Sequence, residues 1–160
     1  MNRIYLCENE KNVRRVFCDN ERVYTKAEVL NAPEQFKNTE YVFSTWGMPK
    51  FTEEEIKRYL PSLKAVFYGA GSVQAFARPF LNCGVKVFSA WAANAVPVAE
   101  YTVAQIVLAN KGFFSNSRIA KTGNRKAAAE NFHSYPGNYN VKIGIIGAGM
   151  IGKLVINMLK

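Results

Sequence analysis

A short glycine-rich stretch near residue 150 places the strongest constraint on the fold of this 160-residue chain. The apolar, β-branched run Val141–Ile146 predicts a buried strand. It leads directly into Gly147-x-Gly149-x-x-Gly152, and the residues from Ile151 onward have helical character. A G-x-G-x-x-G motif between a strand and a helix is typical of a turn that binds the pyrophosphate of a dinucleotide.

Each glycine of this motif has a separate physical role. Gly147 permits the tight turn, and the missing Cβ of Gly149 lets a pyrophosphate approach the backbone. Gly152 lets the following helix lie close to the strand, and the free N–H groups at the helix N-terminus favour phosphate. A glycine-rich turn in some other α/β protein is the alternative. The predicted cofactor-binding residues are Gly147, Ala148, Gly149, Met150, Ile151 and Gly152.

Little sequence follows the motif. Only eight residues lie between Gly152 and the end of the sequence at Lys160, whereas a complete βαβ unit takes about 30 or more. The acidic residue that holds a ribose is expected about 20 residues beyond such a motif. We therefore expect the front part of a larger enzyme, and the sequence does not distinguish NAD from NADP.

Five short apolar runs alternate with helical segments between residues 3 and 90. This alternation predicts a parallel sheet covered on both faces, so the fold class is α/β. We expect a flavodoxin-like parallel-sheet domain, followed by the truncated start of a Rossmann nucleotide-binding domain. The strands are predicted at residues 3–7, 21–24, 40–45, 64–68 and 85–89.

Helix signals lie between these strands. Asn9 is a suitable N-cap, and Thr25-x-x-Glu28 and Thr52-x-x-Glu55 are capping-box patterns. A further helix is predicted from about Val73 to Asn82, with a kink or break at Pro79.

The remaining residues predict a connection between two domains. A long helix is expected from Pro97, apolar nearly all round and therefore buried on most sides. Residues 121–140 are polar and basic and predict a linker, with one helical turn at Ala127–Glu130. The predicted domains are residues 1–93, which bind substrate, and residues 94–160, which begin the nucleotide domain.

The chain is basic, with 21 Lys and Arg residues against 12 Asp and Glu residues and a formal net charge of +9. Such a charge is compatible with nucleic acid binding. The basic residues are scattered, however, and the denser segment 118–126 lies in the expected surface connector without an aromatic-plus-basic motif. We therefore expect no nucleic-acid partner.

The sequence also predicts a cytoplasmic protein with no membrane partner. The longest uncharged apolar stretch, Tyr101–Asn110, is too short to span a bilayer. Glu8 and Glu10 interrupt the N-terminal region early, so no signal peptide is expected. An odd number of cysteines without metal-ligand spacing indicates reduced thiols. These thiols, expected to be buried, are Cys7, Cys18 and Cys83.

Four blocks of this sequence resemble the D-isomer-specific 2-hydroxyacid dehydrogenases. Lys64–Gly71 is similar to the strand and glycine turn of that family's first domain, and Gly84–Ser89 to the last strand of that domain. Asn94–Thr102 is similar to the family's N-x-x-x-V-A-E-x-T helix opening, and Ile143–Gly152 to its cofactor turn. The resemblance extends over most of the chain, and the four blocks are specific when they are taken together.

The resemblance implies an NAD(P)-dependent oxidoreductase that reduces 2-oxo acids to D-2-hydroxy acids by hydride transfer. The cofactor would be NAD or NADP, and the substrate a small 2-oxo or 2-hydroxy acid. In such enzymes the first glycine turn presents backbone N–H groups to the substrate carboxylate, in agreement with the affinity of glycine nests for anions. The residues implied to bind substrate are Gly69, Ala70, Gly71, Ser72 and Asn94.

Two of these assignments have alternatives. The turn is also compatible with a plain βα connection, and the family's usual aspartate after the second glycine is replaced here by Val73 and Gln74. Asn94 is also placed to cap the helix expected from Pro97. Glu100 is expected to support the first turn of that helix rather than to perform chemistry.

The resemblance places no catalytic residue in this sequence. The family's arginine, glutamate and histidine come after the cofactor turn, beyond Lys160. His133, the single histidine, precedes that turn and is expected to face solvent or a subunit. The 160 residues alone are therefore expected to be inactive.

Two other functions stay open. One is a non-catalytic, nucleotide-sensing regulatory protein on the same scaffold. The other is a flavodoxin-like module, which would need Ser or Thr after the first strand, where Cys7–Glu10 places acid that repels phosphate. We also expect a homodimer or exchanged segments, because the helix from Pro97 and the strand from Val141 present apolar surface.

Overall fold

A computed structural model describes residues 2–160 of the chain. These residues divide into two compact units, one ending at Asn94 and the other beginning at Ala95. The first unit contains a β-sheet with flanking helices, and the second is helical.

The first unit contains five parallel strands in the order β2-β1-β3-β4-β5. This is the strand order of flavodoxin-like folds, so the predicted fold class is confirmed for this unit. The elements are β1 (Arg3–Leu6), α1 (Glu10–Phe17), β2 (Val23–Tyr24), α2 (Lys26–Asn31), α3 (Pro33–Phe36), β3 (Tyr41–Ser44), α4 (Glu53–Tyr59), β4 (Ala65–Tyr68), α5 (Ala77–Asn82) and β5 (Lys86–Ser89).

One face of the sheet carries the main hydrophobic core. Strand residues such as Ile4, Val42 and Val66 are fully buried there, because α2 to α5 pack on this face. The helices contribute buried apolar side chains of their own, among them Phe36 and Phe80. The alternation of side chains along each strand places this set on a single face.

The opposite face is covered only in part. Helix α1 packs on it through Val13, which contacts Tyr5 and Cys7. Further along, Phe43, Phe67 and Phe88 stack ring on ring at centroid distances of 5.1 and 5.2 Å, and Phe88 is 49% exposed. Parallel sheets are normally covered on both faces, and the expectation of two covered faces is wrong at this end of the sheet.

The predicted helix caps are confirmed. The side chain of Asn9 accepts a hydrogen bond from the backbone N–H of Lys11, and both Thr-x-x-Glu patterns form reciprocal capping boxes. The helix predicted from Val73 is shorter than expected, because α5 begins only at Ala77. Pro79 therefore lies in the first helical turn, where backbone N–H groups have no intrahelical partner, and no kink is required.

The helix predicted from Pro97 begins earlier, since α6 spans Trp91–Asn110 and holds Pro97 in its interior. The alanines before Pro97 favour helix strongly enough to continue it to Trp91. Glu100 consequently lies mid-helix rather than in the first turn. Only Ala95 and Ala99 are buried, so the expectation of a helix buried on most sides is also wrong.

Three further helices follow α6, namely α7 (Phe113–Ala120), α8 (Arg125–His133) and α9 (Met150–Leu159). Helix α8 replaces the single turn predicted at Ala127–Glu130, because the Asn124 side chain caps it through the N–H of Ala127.

The run Val141–Ile146 is not a strand, contrary to the sequence prediction. It pairs with no strand in residues 2–160, and Ile146 is fully exposed. A strand is defined by hydrogen bonds to its neighbours, and this run pairs with neither of the two outer strands, β2 and β5. The residues after it do form the predicted helix, α9.

In the described part of the chain, α6 is the single helix long and apolar enough to cross a membrane, judged by length and composition alone. The sequence analysis considered only the uncharged stretch Tyr101–Asn110 and so underestimated the length of the apolar helix. The helix begins at Trp91 and continues through Glu100. Helices of soluble proteins pass the same test, so one such helix is a weak indication of a membrane partner.

Neighbouring residues on α5 provide a stability test. Phe80 is 0% exposed and Leu81 is 52% exposed. We expect Phe80→Ala to lower the free energy of unfolding by about 3–5 kcal/mol through loss of apolar burial and creation of a cavity. Leu81→Ala should cost below about 1 kcal/mol. Urea unfolding followed by circular dichroism measures both, and equal losses would contradict this core.

Candidate functional site

The turn Gly69–Ser72 lies at the edge of the sheet where the carboxyl ends of the strands meet. It follows β4 directly, and β3 and β5 flank β4 in the sheet. Ligands of open α/β sheets bind outside the carboxyl ends of the strands. The position of this turn therefore makes it a candidate ligand-binding site.

The carbonyl groups of this turn are engaged by the neighbouring strand ends. The Thr45 hydroxyl donates to the carbonyl of Gly69 at 3.3 Å. The Ser89 hydroxyl lies 2.9 Å from the carbonyl oxygen of Ala70 and also bonds that of Gly71. The turn is thereby fixed on its acceptor side.

The donor side of the turn is open. The N–H of Gly69 bonds the carbonyl of Ser44 at 2.8 Å, but those of Ala70, Gly71 and Ser72 have no acceptor within residues 2–160. Ala70 is fully buried, whereas Gly71 is half-buried and Ser72 is exposed. The accessible donors therefore belong to Gly71 and Ser72, and we call this pair of successive free N–H groups the nest, since such groups are able to bind an anion.

Asn94 lies beside this nest. A Cβ atom added to Gly71 would lie 3.1 Å from the Asn94 side-chain nitrogen, so any larger residue at Gly71 would press on that amide. The Asn94 side chain is half-buried and makes no hydrogen bond in the described residues. The structure thus brings together Gly71 and Asn94, as their joint assignment requires. The capping role for Asn94 is removed, because α6 begins before it.

The nest is uncharged. Its donors are backbone and amide groups, and no acidic side chain in residues 2–160 hydrogen-bonds to the turn. Tyr68, which precedes Gly69, is buried, and this burial raises the pKa of its phenol above the ordinary value.

The second glycine motif has the tight turn predicted at Gly147, but the close contact at Gly152 is with the Gly147 carbonyl and not with a preceding strand. Gly147 has a φ of +88°, a conformation that side chains disfavour. A Cβ on Gly152 would lie 2.2 Å from the carbonyl oxygen of Gly147, so only glycine permits this close approach. A Cβ on Gly149 would meet nothing within 4 Å, so the space beside it is open to a ligand.

Helix α9 begins immediately after this motif. Its N–H groups at Met150, Ile151 and Gly152 have no acceptor in residues 2–160, whereas Lys153 donates to the carbonyl of Gly149 at 2.9 Å. The first turn contains no acidic residue. Free donors at a helix N-terminus suit a phosphate, and they are present here although the predicted strand before the motif is absent.

The remaining residues singled out from the sequence are His133 and the three cysteines. His133 is exposed in the last turn of α8. Within residues 2–160, no group of three or more His, Cys, Asp or Glu side chains is arranged to hold a metal ion. The cysteines are free thiols, but only Cys7 is buried, so the expectation of three buried thiols is wrong for Cys18 and Cys83.

Sequence reasoning missed Thr45 and Ser89. Each is a single hydroxyl residue at or just beyond a strand end, which has no distinctive motif. The sheet register could have identified them, because Ser44 and Ser89 both pair with Tyr68 at the carboxyl ends of the strands. Once the strand order is known, hydroxyl residues at neighbouring strand ends become candidates for contacts with the turn.

Solved dehydrogenase structures share this fold. The Aquifex aeolicus D-lactate dehydrogenase in complex with NAD and lactic acid matches 99% of this chain with a TM-score of 0.68 and 20% identity. The Rhodotorula graminis D-mandelate dehydrogenase matches 99% with a TM-score of 0.68 and 14% identity. The Staphylococcus aureus NAD-dependent formate dehydrogenase in complex with NAD matches 99% with a TM-score of 0.63 and 19% identity.

These matches confirm the resemblance seen in the sequence at the level of the fold. The chain spans about half the length of the solved structures, covering 48% of the D-lactate enzyme and 52% of the other two. No family model matches the chain, and no curated protein matches it.

Two glycines of one segment test the geometry of the second motif. We expect Gly152→Ala to displace the backbone of residues 147–153, because its Cβ would overlap the Gly147 carbonyl. Gly144→Ala should leave that backbone unchanged, since its Cβ meets nothing within 4 Å. Amide chemical shifts of residues 147–153 in ¹⁵N-labelled protein measure the effect, and similar shifts in both variants would refute the close contact.

Proposed function

We propose that this chain is the substrate-binding part, with the opening of the cofactor-binding part, of an NAD(P)-dependent D-2-hydroxyacid dehydrogenase. The parent reaction is reduction of a 2-oxo acid to a D-2-hydroxy acid. The single observation that carries the proposal is the open donor side of the Gly69–Ser72 turn, with the free Asn94 amide beside it.

The chemistry of this nest suits a carboxylate. The N–H groups of Gly71 and Ser72 and the amide of Asn94 are neutral donors, and a carboxylate has two oxygens to accept from them. Hydrogen bonds to a charged acceptor contribute about 1.5–3 kcal/mol each. Holding the carboxylate in this way fixes the orientation of the adjacent 2-oxo carbon.

The proposed cofactor is NAD or NADP, held by Gly147, Ala148, Gly149, Met150, Ile151 and Gly152. A nicotinamide, when bound, supplies or accepts the hydride. The open space at Gly149 and the free N–H groups of α9 support diphosphate binding here. Two of the solved structures with this fold contain NAD.

We further propose that these 160 residues alone do not turn over substrate. The support for this is that no His, Lys or Arg side chain in residues 2–160 hydrogen-bonds to the Gly69–Ser72 turn. Absence of NADH oxidation with pyruvate, glyoxylate or hydroxypyruvate agrees with this assignment, and measurable oxidation would disprove it.

A second candidate function is a non-catalytic, nucleotide-sensing regulatory protein on the same scaffold. The observation in its favour is that no His, Lys or Arg side chain in residues 2–160 hydrogen-bonds to the turn. The two functions differ in their ligands, because a regulator of this kind requires the nucleotide and has no need of the 2-oxo acid. Binding of NADH without any binding of pyruvate would favour the regulator.

An isosteric change at Asn94 tests the carboxylate site. We expect Asn94→Asp to raise the Kd for pyruvate by at least about tenfold, because it places a negative charge beside the bound anion. Titration of ¹⁵N-labelled protein with pyruvate, followed at the Gly71 and Ser72 amides, gives the Kd.

The matched control is Asn38→Asp, which makes the same charge change. Asn38 is exposed and precedes β3, so it lies near the opposite edge of the sheet from the turn. We expect a change in Kd below about twofold there, because solvent screens distant surface charges. Equal losses in the two variants would mean that net charge alone controls binding.

We also propose that the protein is cytoplasmic and forms a homodimer. Helix α6 is apolar on most sides yet largely exposed, and exposed apolar patches favour association. Tyr101 is 66% exposed on this helix, so Tyr101→Glu should shift the protein toward monomer, with Asn38→Asp as the charge control. Light scattering over a concentration series measures this, and a monomeric native protein would exclude the dimer.

A further inference from the structure

Two hydroxyl groups from different strand ends hold the Gly69–Gly71 backbone by its carbonyl oxygens. Thr45 follows β3 and donates to the Gly69 carbonyl, while Ser89 ends β5 and shares its single hydroxyl proton between the carbonyls of Ala70 and Gly71. Because β3 and β5 flank β4 in the sheet, the turn that follows β4 is held from both sides.

The planarity of the peptide bond links these carbonyls to the donors of the nest. In a trans peptide, the C=O of one residue and the N–H of the next lie in one plane and point in opposite directions. The carbonyl of Ala70 therefore sets the direction of the Gly71 N–H. In the same way, the carbonyl of Gly71 sets the direction of the Ser72 N–H.

We infer that Ser89 is a positioning residue, which aims the N–H groups of Gly71 and Ser72 at the substrate carboxylate by holding the two opposite carbonyls. This inference rests on the function proposed above for the turn. Thr45 acts in the same way on the N–H of Ala70. That N–H belongs to a fully buried residue, so Ser89 matters more for binding.

The side chain at position 89 needs a hydroxyl group and little else. Ser89 is half-buried at a strand end, so removal of its oxygen leaves the core of the first unit intact. Ser89→Ala loses both contacts to the turn. Ser89→Thr keeps the hydroxyl group, and its β-branched side chain suits a strand.

Pyruvate titration of the ¹⁵N-labelled 160-residue chain tests this role. We expect Ser89→Ala to raise the Kd for pyruvate about tenfold, as the loss of one aligned charge-assisted hydrogen bond would. Ser89→Thr should restore the Kd to within about twofold of native. Thr45→Val should weaken binding less than Ser89→Ala does.

Ser44→Ala is the matched control. The Ser44 hydroxyl also donates to a backbone carbonyl in the same unit, that of Leu6, but it does not bond the carbonyls of the turn. Ser44→Ala should lower stability without changing the Kd beyond about twofold. Unchanged affinity in Ser89→Ala, or an equal loss in Ser44→Ala, would overturn the positioning role.

A measurement without ligand separates this inference from the proposed function. We expect the Gly71 and Ser72 amides of Ser89→Ala to show lower heteronuclear NOE values and shifted amide resonances compared with the native chain. If native protein shows no pyruvate-dependent shifts at these amides, the carboxylate function fails. If the ligand-free amides are the same with and without the Ser89 hydroxyl, the positioning role fails, whatever pyruvate does.

Discussion

The parallel pairing of five strands is the constraint on which the rest of the first unit depends. Parallel pairing brings the carboxyl ends of all strands to one edge, so residues far apart in sequence meet there. Thr45, the Gly69–Gly71 turn and Ser89 come from three separate segments and are joined only because β3, β4 and β5 are neighbours. An antiparallel arrangement of the same strands would separate them.

Local patterns were enough to predict most of the first unit. Alternation of apolar runs with capping signals located the strands, and Thr25 and Thr52 form capping boxes as predicted, because these bonds involve residues only three apart. The glycine turn after β4 was also predicted from its local sequence. Local patterns did not supply the register, and it is the register that places Ser89 beside the turn.

The errors share a cause, which is dependence on surroundings. Val141–Ile146 has the composition of a buried strand, but composition provides no hydrogen-bonding neighbour, and the run stays unpaired. Helix α6 has the composition of a buried helix and is mostly exposed. Both predictions assumed contacts, a paired strand for Val141–Ile146 and packed neighbours for α6, that residues 2–160 do not make. The motif after Val141–Ile146 kept its geometry because Gly147 and Gly152 meet within a few residues.

The stacked rings of Phe43, Phe67 and Phe88 have a consequence for handling and folding of the protein. The α1 end of that sheet face is covered, whereas the β5 end presents aromatic rings to water. When this face is exposed, the protein presents apolar surface to solvent, as a folding intermediate does. Its hydrophobic core is nevertheless complete. Such a form would take up hydrophobic dyes and be retained by holdase chaperones, so a dye signal alone would not show that it is misfolded.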